Sequence, residues 1–114
     1  MYGWKITTDH LTAHPGGADD HTGLEGPHDI TENTRMLLDT KTTPEEALPE
    51  GLERHSFEMY DDDGQTYYTG VIVWDADDDT EYFEDYLLAP LRDFGAPNAG
   101  AVRVHYHGHP EWDL

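Results

Sequence analysis

This chain of 114 residues contains 25 Asp and Glu but only six Lys and Arg, so its formal net charge is −19 with histidine neutral. Repulsion on that scale works against a compact state. Leu, Ile, Val and Phe supply only 20 residues for a core, a composition shared with disordered chains. Three Trp, seven Tyr and three Phe indicate the opposite, because aromatic side chains bury large areas and are scarce in disordered segments. The sequence predicts one compact domain over residues 1–114.

The chain contains no cysteine, so disulfides, thiolate nucleophiles and cysteine-based zinc sites are excluded, and a reducing cytoplasm is the expected compartment. Residues 1–11 hold no apolar run, and no stretch approaches the roughly 20 apolar residues that span a bilayer, so neither a signal peptide nor a membrane partner is expected. A net charge of −19 repels phosphate backbones, which disfavours direct nucleic-acid binding. A basic protein surface is the expected partner.

The predicted fold is an α+β domain in which an antiparallel sheet of about four strands packs on one main helix. Alternating residues predict a first strand over 2–8. The runs 53–60 and 65–74 flank an Asp-Gly corner at 63–64, which predicts a β-hairpin because Gly accepts the positive φ of a tight turn. A last strand is expected over 101–107.

Phe83, Leu87 and Leu91 recur at the helical period and predict the main helix, with Pro90 kinking or ending it and Gly95 stopping it. The sheet and this helix should enclose one core. The residues expected in it are Trp4, Ile6, Phe57, Val71, Val73, Tyr82, Phe83, Leu87, Phe94, Val102 and Val104.

Residues 12–34 contain almost no large apolar side chain and many Gly and Pro, which predicts a long N-terminal loop. Thr43, followed by Pro44 and two glutamates, has the pattern of a helix N-cap, so a short helix should begin there and stop near Pro49 or Gly51.

Four segments carry a resemblance: DDDGQTYYTG at 61–70, LRDFGAPNAG at 91–100, WKITTDHL at 4–11 and the C-terminal β run. Together they resemble a family of small acidic proteins of actinobacteria and their phages and plasmids, most of them described only as hypothetical. The resemblance implies a setting in mobile elements and phage. It implies no reaction, and it carries over no catalytic residue.

No motif in the chain indicates an enzyme. The Asp93-Phe94-Gly95 triplet occurs in protein kinases, but the chain is too short for that fold and lacks its glycine-rich and catalytic loops. We expect Phe94 in the core, Gly95 as a helix cap and a turn at 97–98. Ser56, the only serine, lies in no nucleophile motif. No catalytic residue and no cofactor are predicted.

Asp75, Asp77 and Asp79 have the first spacings of a calcium-binding EF-hand loop. The match fails at its most demanding positions, because Thr80 stands where Gly is required and Tyr86 where a bidentate Glu belongs. A weak, nonstandard calcium site is the alternative left open.

Three histidines alternate at 105, 107 and 109. On a strand, His105 and His107 share one face about 6.6 Å apart, while Val102, Val104 and Tyr106 face the core. Two such imidazoles can chelate a transition metal, so His105 and His107 are the candidate metal ligands. The competing interpretation is a solvent-exposed sheet face on which these histidines are ordinary polar residues.

The arrangement of acidic residues is the strongest functional signal, because no Lys or Arg occurs between Arg54 and Arg92. We expect one contiguous negative surface from the hairpin, its following loop and one helix face. Its predicted partner-binding residues are Asp61, Asp62, Asp63, Asp75, Asp77, Asp78, Asp79, Glu81, Glu84 and Asp85.

The sequence therefore predicts a non-enzymatic acidic interaction protein, a nucleic-acid mimic that inhibits or regulates a basic, nucleic-acid-binding partner. Such charge exceeds what solubility needs, although an acidic surface that serves only solvation explains the same residues. Two further alternatives are a small metal- or ligand-binding module that uses the C-terminal histidines, and a phage accessory or structural protein. Self-repulsion favours a monomer or a weak homodimer.

Overall fold

The computed structural model describes residues 2–11, 21–75 and 83–112, and of residues 83, 84, 98 and 99 it describes the backbone alone. The elements in chain order are β1 (Tyr2–Asp9), β2 (Glu25–Gly26), α1 (Glu32–Leu38), a 3-10 turn (Glu45–Ala47), β3 (Leu52–Tyr60), β4 (Thr66–Asp75), α2 (Phe83–Pro90), a π-helical segment (Leu91–Gly95), α3 (Ala96–Ala99), β5 (Arg103–Tyr106) and a second 3-10 turn (Pro110–Trp112). The strands form one antiparallel sheet in the order β2-β1-β4-β3-β5. The predicted α+β class is confirmed.

The central hairpin of β3 and β4 forms as predicted. Leu52 pairs with Asp75 at one end and Tyr60 with Thr66 at the other. The turn between them contains Gly64 at φ 85°, a conformation that glycine adopts at little cost. The Asp-Gly corner therefore ends β3 and reverses the chain.

The predicted strand number and the predicted loop both need correction. The sheet has five strands because β2 adds a short edge beside β1, with Trp4 opposite Gly26. Residues 12–20 lie outside the described part of the chain, but 21–34 are not a continuous loop, since they contain β2 and the start of α1. Thr31 caps α1 by accepting a hydrogen bond from the Thr34 backbone N–H at 3.2 Å.

Helices cover both faces of the sheet, where the sequence predicted one main helix and one core. The larger core holds the aromatic residues and the α2 side, including Leu87 and Phe94. The smaller core is formed by Leu37 and Leu38 of α1 against Val71 and Val73 of β4. Val71 and Val73 are buried as predicted, but they face α1 and belong to this second core.

Most of the predicted core is buried as expected, and Val102 is the exception at 51% exposure. The strand β5 begins at Arg103, two residues later than predicted, and Ala101 takes the buried position just before Val102. Tyr82 and the side chain of Phe83 lie outside the described residues. Buried core residues that the sequence did not predict are Leu37, Leu38, Met59, Tyr68, Ile72, Trp74, Ala89 and Ala101. Tyr106 is buried on the strand face predicted for it.

The helical run after α2 does not stop at Gly95. Pro90 ends α2, and the chain continues through the π-helical segment into α3, which ends at Gly100 with φ 73°. Gly95 has a helical φ of −60°, and a Cβ there would lie 2.6 Å from Met59 Sδ. Gly95 therefore allows the helical segment to pack closely on Met59 and does not end the helix as predicted. The turn predicted at 97–98 is also wrong, because those residues lie in α3.

The helix predicted after Thr43 is only the 3-10 turn of Glu45–Ala47, and Thr43 does not cap it. Pro44 takes the N-cap position without a side-chain hydrogen bond. The Thr43 hydroxyl instead donates to the Met36 carbonyl at 2.7 Å. That bond ties the segment to the end of α1.

Candidate protein-binding surface

Asp61, Asp62 and Asp63 form the tip of the β3–β4 hairpin. Asp61 Oδ1 accepts hydrogen bonds from the backbone N–H groups of Asp63 at 3.0 Å and Gln65 at 2.8 Å. Tyr67 donates its hydroxyl to Asp61 Oδ2 at 3.3 Å. Asp61 therefore holds the turn together, and the exposed side chains of Asp62 and Asp63 project their charge into solvent.

The negative field of this tip reaches the neighbouring Tyr67. Desolvation raises the pKa of the Tyr67 phenol, and the carboxylate of Asp61, through charge and hydrogen bond, raises it further, followed by Asp62 and Asp63. A phenolate beside three carboxylates is disfavoured because like charges repel. The tip is therefore electrostatically negative.

The basic residues of the chain, all of them in the described part, do not neutralise this tip. Arg35 pairs with Glu25 and Glu32, each at 3.3 Å. Arg92 pairs with Asp93 at 3.1 Å. Among the described residues no Lys or Arg forms an ion pair with the three carboxylates of the tip.

The guanidinium of Arg54 donates hydrogen bonds to backbone carbonyls. Its Nη1 donates to the carbonyls of Leu37 and Thr43, both at 2.7 Å. This places the guanidinium between β3 and the C-terminal end of α1, where it satisfies the Leu37 carbonyl that the helix leaves unpaired and the Thr43 carbonyl in the segment after the helix. Arg54 is thus a structural residue.

The prediction of one contiguous negative surface is wrong for the described carboxylates. Asp75 pairs with Leu52 at the end of the hairpin opposite Asp61–Asp63, about 30 Å away for a ten-residue strand. Asp85 is exposed on α2. The sequence showed that acids cluster along the chain, but the antiparallel hairpin sends the two groups to opposite ends.

The remaining predicted binding residues fall outside the description. Asp77, Asp78, Asp79 and Glu81 lie in 76–82, and of Glu84 only the backbone is described. Their role in binding stays a prediction.

Carboxylate atoms of Asp61, Asp62 and Asp63 lie within 4.8 Å of one another. Oxygen ligands at that spacing suit a hard cation such as calcium. Both oxygens of Asp61, however, already accept hydrogen bonds within the hairpin. The closeness of the three groups is explained by the turn itself.

The predicted metal ligands His105 and His107 share one sheet face, with ring centroids 6.4 Å apart. His107 Nε2 lies 2.9 Å from Glu58 Oε1 and makes a hydrogen bond with it. Over the described residues, neither histidine joins a group of three ligands with atoms within 4.8 Å. The pair offers at most two imidazoles, fewer than a structural zinc site needs.

An aromatic cluster around His55 was not predicted. The His55 ring lies 4.9 Å from Trp74, 4.8 Å from Trp112 and 5.0 Å from His109, and His109 stacks on Trp112 at 3.7 Å. Burial lowers the pKa of His55, although the charge of Glu53 opposes the shift. The alternation of His55 with Phe57 and Met59 was the available signal that this histidine faces the core.

The chain matches no protein-family model, no curated protein and no solved structure. Its resemblance to small acidic proteins of actinobacteria and their phages stays a prediction. Across the described ranges, no helix has the length and apolar character needed to cross a membrane.

Proposed function

We propose that the protein is a non-enzymatic acidic domain that binds a basic, nucleic-acid-binding surface of another protein and so inhibits or regulates it. The observation that carries the proposal is the hairpin tip, where Asp61–Asp63 are held together by the turn without a basic partner among the described residues. Holding like charges together costs free energy, and a cationic surface would offset that cost.

Complementary charge acts mainly on encounter. A net charge of −19 attracts a cationic protein over about one Debye length, so association should be fast at low salt and slow as salt is added. The tip projects from the end of the sheet, which allows a partner to approach without disturbing either core. We also propose that binding occurs in the cytoplasm and that the protein acts as a monomer or weak homodimer.

Binding of fluorescent decalysine, a polybasic probe, tests this proposal. The variant carrying Asp61→Asn, Asp62→Asn and Asp63→Asn should bind more slowly than wild type and with a shallower dependence on salt. Asn accepts turn positions well, so the fold should persist, which circular dichroism will check.

A variant with the same change of net charge serves as the control: Glu45→Gln, Glu46→Gln and Glu50→Gln, three exposed positions outside the tip. It should retain most of the wild-type rate and salt dependence. Equal losses in both triple variants would show that only total charge matters and would remove the tip as the binding site. No decalysine binding by wild type at low salt would overturn the proposed function.

A further inference from the structure

A cavity of about 600 Å³ opens at the edge of the sheet where β1 meets β2. This volume falls within the range of about 300–1,000 Å³ that is typical of ligand pockets. The lining residues used below are Tyr2, Trp4, Glu25, Asp29, Asp93 and Phe94.

The cavity is negative, since its lining includes three carboxylates and no Lys or Arg. Two of these acids already hold a guanidinium from outside the cavity: Glu25 pairs with Arg35, and Asp93 with Arg92. Within the described chain, no Lys or Arg forms an ion pair with Asp29, which is exposed. The site therefore retains a carboxylate that a cationic ligand can neutralise.

The Tyr2 hydroxyl lies among these charges. Burial is the largest cause of its raised pKa, and the charge of Asp93 raises the pKa further, with a smaller contribution from Asp29. Arg92 lowers the pKa through its charge and a hydrogen bond. The acidic side chains and Arg92 therefore act on this phenol in opposite directions.

The walls of the cavity are aromatic. The rings of Trp4 and Phe94 lie 6.0 Å apart at 45°, and Tyr2 packs on Tyr86 at 5.0 Å. Trp4 and Phe94 are almost fully buried, so the half-buried Tyr2 offers the accessible ring face. Aromatic faces attract cations, and arginine most often, because its planar guanidinium can stack on a ring while it binds a carboxylate.

Trp4 provides an independent observation, because its indole N–H lacks a hydrogen bond in the part of the chain that the structure describes. Its side chain is 97% buried, since only 3% of its surface is exposed, and its Nε1–H has no hydrogen-bond acceptor among the described residues. A buried donor without an acceptor costs about 1–3 kcal/mol. Nε1 itself has no exposed surface, so the carbonyl oxygen of an arginine-containing peptide can accept from this N–H only after Trp4 or the facing backbone of Gly26 shifts.

We propose that this cavity binds one arginine side chain of the basic partner. The inference rests on the proposed function and adds to it a specific binding site for one side chain. This site lies at the end of the sheet opposite the hairpin tip, because Tyr2 pairs with Trp74 while Asp9 pairs with Tyr68 near the turn. Exposed acids at the tip then govern encounter, and the aromatic cavity selects arginine.

The test is an NMR titration with the peptide acetyl-Gly-Arg-Gly-amide, followed through the three tryptophan indole N–H signals. The Trp4 signal is assigned as the one that remains in the spectra of both the Trp74→Phe variant and the Trp112→Phe variant. We expect the peptide to move this signal, and the uncharged analogue with citrulline in place of arginine to bind at least about threefold more weakly. Asp29→Asn should weaken peptide binding by about two- to fivefold, the range of one exposed ion pair.

Glu46→Gln is the matched control, because it removes one exposed carboxylate that lies outside both the hairpin tip and the cavity. It should leave peptide affinity at the wild-type value. An unmoved Trp4 signal, equal binding of the citrulline peptide, or equal effects of Asp29→Asn and Glu46→Gln would each overturn the proposed arginine site. If decalysine still binds in a manner that depends on the tip, only this inference fails; if decalysine does not bind wild type, the proposed function fails.

Discussion

The indole of Trp4 lies directly against the Cα of Gly26, its partner across the β1–β2 pair. A Cβ at position 26 would come within 2.9 Å of Nε1 and closer still to two ring carbons. Any side chain at position 26 would therefore displace the tryptophan from its place beside the cavity.

Gly26→Ala should lower the free energy of unfolding by about 1–3 kcal/mol, as overpacking in a close-packed interior usually does. Urea denaturation followed by circular dichroism measures the change. Thr8→Ala, an exposed position on the same strand, should stay within about 0.5 kcal/mol of wild type. A Gly26→Ala protein as stable as wild type would show that Trp4 can shift freely.

Arg54→Met should destabilise the domain because it leaves the carbonyls of Leu37 and Thr43 without their shared donor. The expected loss is about 1–3 kcal/mol in the free energy of unfolding, from urea titration. Arg103→Met removes the same charge at an exposed position of β5 and is the control. Equal losses in the two variants would assign the effect to net charge instead.

Tyr106→Phe removes one buried hydrogen bond, since the Tyr106 hydroxyl donates to the Leu87 carbonyl at 2.8 Å. We expect a loss of about 0.5–1.5 kcal/mol in thermal or urea unfolding, because Leu87 loses its side-chain donor while the ring still packs. Tyr60→Phe, on a half-buried side chain of β3, should change stability less. A Tyr106→Phe variant indistinguishable from wild type would indicate that the carbonyl finds another donor.

His55 should make folding less favourable as pH falls. Burial lowers its pKa in the native state below the ordinary 6.5, while the charges of Glu53 and Glu45 oppose the shift and His109 adds to it. The unfolded chain therefore binds a proton first, so stability is lost as pH drops below 6.5 and levels off below the native pKa.

Urea unfolding of wild type and His55→Phe between pH 7.5 and 5.5 checks this sign. Wild type should lose more stability across the interval than His55→Phe. His28→Ala, at an exposed histidine, should follow wild type. Parallel pH profiles for wild type and His55→Phe would contradict the prediction.

Local sequence signals predicted the parts of the fold that depend on neighbouring residues. The Asp-Gly corner at 63–64 predicted the hairpin because turn chemistry is decided within a few residues. Helix α1 was missed because Leu37 and Leu38 are adjacent and show no helical period. Their burial depends on Val71 and Val73, more than 30 residues away in the sequence.

Gly95 was misassigned for a related reason. A glycine after a helical run commonly ends it, but whether Gly95 meets Met59 or solvent is decided by tertiary packing. The cavity was equally invisible, because it gathers Tyr2, Asp29 and Asp93 from three distant segments. Counting carboxylates located the acidic tip but could not show that Asp75 points to the far end of the same hairpin.

The length of that hairpin sets a spacing. The carboxylates at its tip and Asp75 at its base are separated by one strand of ten residues, or about 30 Å. A partner that contacts the tip therefore reaches Asp75 only if its own surface extends about 30 Å along the hairpin.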